Sequence, residues 1–447
     1  MASRSFPDSF LWGAATASYQ VEGGVHEGGR GESIWDRFSH TPGKVANGDT
    51  GDVACDHYHR FREDVALMQD LGLQAYRFSI AWPRLFPTGA GSLNRAGLDF
   101  YSRLVDALLE AGIQPVPTLY HWDLPQALQD AGGWPNPDTA RRFADYATAA
   151  FEGLGDRVAR WITLNEPGVV THLGHYSGEH APGEHSLEAN LSAGHTLLHA
   201  HGLAVQRYRE ICPDGKIGIT LSFNPARPAT DEDEDHAAAA RWDAYANRWF
   251  MDPIYKGVYP EEMRQRFGET LPEFSSSQLE AVRSPIDFVG VNYYTHAVVQ
   301  DDPSDALMGV RSVARPGAPV TAMGWEIVPG AFFELLTWLK DTYHNPVLYI
   351  TENGAAFPDV VAPDGGVHDP DRIAYLQGHF SAALDAIQAG VDLRGYFVWS
   401  LMDNFEWAYG YDRRFGLVYI DYPTSARILK DSAKWYARVI RDNGISG

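Results

Sequence analysis

Short runs of Val, Ile, Phe, Tyr and Leu recur along the chain, separated by longer stretches in which apolar positions return every three or four residues. The short runs read as buried strands at 10–15, 75–80, 115–120, 160–164, 216–221, 287–291, 347–350 and 395–399. The longer stretches read as helices at 52–71, 95–111, 138–154, 187–211, 237–255, 330–341 and 369–389, with a last one at 425–441. Strand alternating with helix implies parallel strands joined by crossover helices. Eight such units predict an α/β fold of one kind, a single (β/α)8 TIM barrel with long βα-loop insertions, spanning 1–447 as one domain. No GxGxxG follows a strand, which speaks against an open nucleotide-binding sheet.

Composition narrows the function. A formal net charge of −22 repels phosphate backbones and anionic lipid, so neither a nucleic-acid nor a membrane partner is expected. No apolar run is long enough to span a bilayer, and the first residues lack the apolar core of a secretory leader, so a cytoplasmic protein is expected. Two cysteines, Cys55 and Cys212, make neither a disulfide framework nor a zinc site. The acidic run 231–235 reads as a solvated loop placing negative charge at a helix N-terminus. Aromatic residues reach 13% of the chain, which suits a large core and equally the CH faces of sugars.

In a barrel of this kind chemistry sits where strands end and βα-loops begin. Those positions carry Gln20 after strand one, Arg77 on strand two, His121 and Trp122 after strand three, and Asn165-Glu166 after strand four. Asn292 and Tyr294 follow strand six, Glu352 strand seven, and Trp399, Glu406 and Trp407 strand eight. Each alone has an ordinary structural account, such as a cap, a satisfied core histidine or a barrel plug. Glu166 and Glu352, facing one opening among amides and indoles, suit acetal hydrolysis. That reaction needs a proton for a poor leaving group and stabilisation of an oxocarbenium-like sugar, which two carboxyls in different protonation states supply. Aromatic walls are expected to raise the pKa of one, while Arg77 or a tyrosine hydroxyl keeps the other ionised.

The segments Thr163-Leu164-Asn165-Glu166-Pro167 and Ile350-Thr351-Glu352-Asn353-Gly354 resemble the two signature motifs of glycoside hydrolase family 1, the β-glucosidase family. Phe10-Leu11-Trp12-Gly13 with Gln20 is similar to that family's opening, and Asn404-Phe405-Glu406-Trp407 to its closing sugar-binding loop. The resemblance implies a (β/α)8 barrel and a retaining mechanism with no cofactor or metal. It makes Glu166 the acid/base and Glu352 the nucleophile, with Tyr294 and Arg77 orienting Glu352. It places Asn165 on the sugar 2-hydroxyl, and Gln20, His121, Glu406 and Trp407 on hydroxyls 3, 4 and 6. Trp399 would be the stacking floor, and Trp325 the platform on the aglycone side.

Family members that act on 6-phosphorylated sugars carry Ser where this chain has Glu406, and thioglucosidases lack the acid/base Glu that Glu166 provides. An unphosphorylated O-glycoside is therefore expected: a small-molecule β-glucoside or cello-oligosaccharide, with β-galactosides or β-fucosides as alternatives. Gly168-Val169 follow Glu166-Pro167 where many members carry a bulkier residue, so a roomy aglycone side is expected. A non-catalytic sugar-binding barrel has no support in the residues. A metal-dependent hydrolase built on His57/His59, His172/His175 or His199/His201 lacks an HExxH motif, and surface helix positions account for these histidines better. Oligomeric state is not legible here.

Overall fold

A computed structural model describes residues 4–445. Eight parallel strands close into a barrel: β1 Leu11–Ala15, β2 Ala75–Ser79, β3 Gln114–Tyr120, β4 Arg160–Asn165, β5 Lys216–Phe223, β6 Phe288–Tyr293, β7 Leu348–Asn353 and β8 Leu393–Trp399. They follow one another in chain order around the ring, and β8 pairs back to β1 with Trp399 beside Ala15. The strands lack polar–apolar alternation because both faces are covered, one by helices and the other by the packed barrel interior. The sequence reading of a (β/α)8 barrel is matched strand for strand.

Three of the ladders shift register near the glutamates, that of β7 with β8 between Ile350 and Asn353 among them. β4 slips against β5 between Ile162 and Asn165, and β7 slips against β6 between Ile350 and Glu352. Such irregularities re-aim side chains at a barrel rim.

Three helix readings change. The first starts at His57 and not at 52, because Ala54 and Asp56 take left-handed conformations, with φ of 48° and 55°, that interrupt any earlier turn. The stretch read as 237–255 runs from Asp233 to Asp243, widens to π geometry over Ala244–Arg248, and resumes at Trp249–Lys256. Its first turn takes in part of the acidic run, and Asp235 is buried, accepting hydrogen bonds from Thr230 Oγ1 and the Asp301 N–H, so that residue is structural and not solvated. The last helix begins at Asp431, since Ala426–Leu429 forms an antiparallel hairpin with Val418–Asp421. That hairpin touches the loop after β8 through Met402 and Val418.

Candidate active site

At the C-terminal rim of the barrel the polar strand-end residues converge around a cavity of about 800 Å³. His121, Trp122, Glu166, Tyr294, Trp325, Glu352, Trp399, Glu406 and Trp407 line it. Arg77, Gln20, Asn165 and Asn292 stand just behind the wall, each fully buried.

Glu352 is held from two sides. Arg77 Nη1 donates to its Oε1 at 2.6 Å and the Tyr294 hydroxyl to its Oε2 at 2.7 Å. Arg77 stays in place because its other groups are committed, Nη2 to Asn165 Oδ1 at 2.6 Å and Nε to Thr118 Oγ1 at 3.2 Å. Burial raises the Glu352 pKa, while Arg77, Tyr294 and Asn292 oppose that rise by stabilising the anion.

Glu166 has no cationic partner on its carboxyl. Its Oε1 accepts only from Asn292 Nδ2, at 2.6 Å, and burial followed by the charge of Glu352 pushes its pKa up to about 8. A cation and a phenol favour the anion at Glu352, where Glu166 meets one neutral amide, so Glu352 is the more readily ionised of the two. Locally, Pro167 disfavours the right-handed helical region for the residue before it, and Glu166 sits at φ 48°, ψ 60°. Trp122 and Trp407 also have positive φ, 78° and 50°. Non-glycine residues rarely take this conformation, and it persists only where the surroundings over-determine it.

Around this pair, amides and rings form a connected wall. Asn165 Nδ2 donates to His121 Nε2 at 3.0 Å, and burial, reinforced by Arg77, drives the imidazole pKa well below its usual value, so His121 is neutral. Trp122 Nε1 donates to the Asn165 carbonyl at 3.0 Å. Gln20 Nε2 donates to the Phe405 carbonyl at 2.8 Å and to Asn404 Oδ1 at 3.0 Å, tying the first βα-loop to the last. Trp407 packs against Trp122 and Trp35 with ring centroids 4.6 Å away in each case, and His121 stacks 5.8 Å from Trp399. Trp325 leans on Tyr294 at 5.3 Å.

Three buried polar atoms in this wall have no protein partner: Gln20 Oε1, His121 Nδ1 and Glu406 Oε2. Buried polar atoms are nearly always satisfied, so a cluster of three beside one cavity marks where a polyhydroxylated ligand would complete the bonding. Burial and the charge of Glu352 push the Glu406 pKa to about 8, so near neutrality this carboxyl can donate as well as accept.

Other cavity residues carried no signal in the sequence. His180, Phe415 and Lys44 come from loop interiors away from strand ends and Leu173 from the helical segment Val170–Tyr176, where only the folded chain reveals the approach, whereas Asn224 directly follows β5, a strand end the sequence reading passed over. Val169 lines the cavity where the sequence suggested extra room. The histidine pairs considered for a metal are separately engaged. His57 bonds Asp64 at 2.7 Å, His175 bonds Glu184 at 2.9 Å and His201 bonds Thr163 at 2.7 Å. All three are buried and not on the surface as the helix pattern suggested.

Comparison with known proteins agrees with this geometry. The chain is 53% identical over 446 residues to beta-glucosidase A of Thermotoga maritima, covering 100% of both. It is 51% identical over 444 residues to a 1,4-beta-D-glucan glucohydrolase of Thermotoga neapolitana, covering 99% of this chain and 100% of that one. A Thermotoga maritima beta-glucosidase solved with deoxynojirimycin superposes with a TM-score of 0.97 at 53% identity, covering 99% of this chain and 100% of that one. The model of glycosyl hydrolase family 1 matches residues 2–445, and to that family this chain belongs.

Proposed function

We propose that the protein is a retaining β-glucosidase releasing terminal non-reducing β-D-glucosyl residues from aryl or alkyl β-glucosides and cello-oligosaccharides. The observation that carries this is the asymmetry of the two carboxyls at one barrel mouth: Glu352 clamped by Arg77 and Tyr294, Glu166 buried with a pKa of about 8.

Glu352, the ionised partner, attacks the anomeric carbon from below while Glu166 delivers its proton to the departing oxygen, leaving a covalent glycosyl-enzyme. Forming the ester removes the Glu352 charge, so Glu166 loses a neighbour that favoured its protonated form. It then takes the proton of the incoming water, and the sugar leaves with its configuration retained. Asn292, which donates to Glu166 at 2.6 Å, also favours the Glu352 anion, so one amide serves both carboxyls at the same cavity. Retention is what glycosyl hydrolase family 1 membership supports, and it requires carboxyls ~5–5.5 Å apart.

Gln20, His121 and Glu406 bring the unpartnered atoms that meet hydroxyls 3, 4 and 6, Asn165 meets the 2-hydroxyl, and Trp399 and Trp407 supply ring faces. Among the described residues no helix is long and apolar enough to cross a membrane, and Cys55 and Cys212 are free thiols. Free thiols fit the reducing cytoplasm, which we take as its compartment.

The test is hydrolysis of 4-nitrophenyl β-glucoside with two variants. Glu166→Gln should fail on poor leaving groups yet keep activity on activated ones. Glu352→Ala should be inert on all glycosides but yield the α-glycosyl azide when azide is added. Absence of release by the wild type across the pH range refutes the enzyme, and identical rescue of both variants refutes the assignment of roles.

A further inference from the structure

Below the loop that carries Glu406 and Trp407 lies a cluster of six charges, none of which lines the cavity. Lys430, fully buried, donates from Nζ to Asp403 Oδ1 at 2.7 Å and to Asp359 Oδ2 at 2.5 Å. Arg414 Nη1 donates to Asp403 Oδ2 at 2.7 Å, and Arg372 donates to both Asp359 and Asp369. Three cations face three carboxylates, so the formal charges cancel.

A buried ionic cluster is a poor device for stability alone, because well-packed apolar side chains of the same volume do as well or better. What it provides is directed geometry. Asp403 binds the two limbs of the loop together at its base: it belongs to the outgoing limb, while the Arg414 guanidinium and the Gly416 N–H, the latter at 2.9 Å, belong to the returning one. At the apex the Glu406 N–H donates to the Gly410 carbonyl at 2.7 Å. On the cavity side the loop is held by Gln20. On the far side Lys430 anchors Asp403 from the entrance of the C-terminal helix Asp431–Asp442. The hairpin that the sequence pattern concealed thus ends on the residue that fixes this loop.

We propose that Lys430 is a positioning residue for Glu406: acting through Asp403, it sets the height of the loop and so the preference for sugars that carry a hydroxymethyl group at C5. This rests on the reading above, in which Glu406 meets the 4- and 6-hydroxyls. Rim charges that merely stabilised the barrel would affect all substrates alike, whereas a displaced Glu406 penalises the sugar that needs it most.

The experiment compares kcat/KM for 4-nitrophenyl β-glucoside and 4-nitrophenyl β-xyloside, which differ only in that hydroxymethyl group. Lys430→Met should lower the glucoside-to-xyloside ratio about fivefold or more, with the loss concentrated in KM. Because removing one member of a buried ion pair can unfold a protein, Arg414→Met is measured beside it. Its side chain is 17% exposed and touches Asp403 from the solvent side, and the same fall in ratio is expected. An unchanged ratio in a folded variant, whether both rates hold or both fall together, overturns the proposal while leaving the glycosidase reading intact. Failure of the wild type on both substrates removes that reading, and this inference with it.

Discussion

The electrostatic link between Glu166 and Glu352 can be measured without turnover. Glu352→Gln removes one negative charge and keeps the side-chain shape, and its amide oxygen can still accept from Arg77 or Tyr294. At the ~5 Å spacing of a retaining pair, and an effective dielectric of ~20, two unit charges interact by roughly 3 kcal/mol. At about 1.4 kcal/mol per pH unit, that is a fall of roughly two pH units in the Glu166 pKa. Burial, the largest cause of the rise to about 8, is untouched, so the carboxyl stays above its ordinary value. The measurement is a ¹³C NMR titration of protein labelled at the glutamate side-chain carboxyls, with the Glu166 signal identified by its disappearance in Glu166→Gln. A Glu166 titration that stays near 8 in Glu352→Gln refutes the coupling, and with it the account of how one residue serves first as acid and then as base.

Three further outcomes are expected. The alkaline limb of kcat/KM should fall near pH 8, where Glu166 gives up its proton, and should vanish in Glu166→Gln assayed on an activated aryl glucoside. Persistence of the limb in that variant transfers it to Glu406, whose carboxyl is also pushed to about 8. Removing the Glu166 carboxyl should raise stability where it lowers activity. A carboxyl raised above its unfolded value binds more protons when folded, so between about pH 4.5 and 8 its burial costs increasing stability as pH rises. Glu166→Gln should therefore melt higher than wild type at pH 8 and equally at pH 4; equal melting temperatures at both would show that the burial carries no such penalty. Tyr294→Phe removes the 2.7 Å hydrogen bond to Glu352. A hydrogen bond to a charged group contributes about 1.5–3 kcal/mol, so kcat should drop about 10- to 100-fold on good and poor leaving groups alike, and an unchanged kcat would show that Arg77 alone orients Glu352.

The barrel was legible in the sequence because its strands are short, continuously apolar and separated by helical periodicity, a signal that survives without knowledge of contacts. The residues at the strand ends were legible for the same reason: once the strands are located, the positions that follow them must face one rim. Where local pattern and tertiary pairing disagree, the pattern was misleading. Residues 426–429 read as helix because they continue into one, yet they pair with 418–421 as a strand. His57 and His201 read as surface positions, yet both are buried, with partners two helical turns along or distant in the chain.

Asn165-Glu166-Pro167 and Thr351-Glu352-Asn353 carried the resemblance that implies both the chemistry and the roles of the two glutamates, but not the physical cause of the difference between them. Both have the same intrinsic acidity. What separates them is that Arg77 and Tyr294, from different strands, reach Glu352, while the Glu166 carboxyl meets one neutral amide. Desolvation and charge placement are properties of the assembled rim, because they depend on distances between residues far apart along the chain. The sequence by itself determined which side chains would stand at the mouth of the barrel, and only the tertiary structure decided which charges and amides surround each of them.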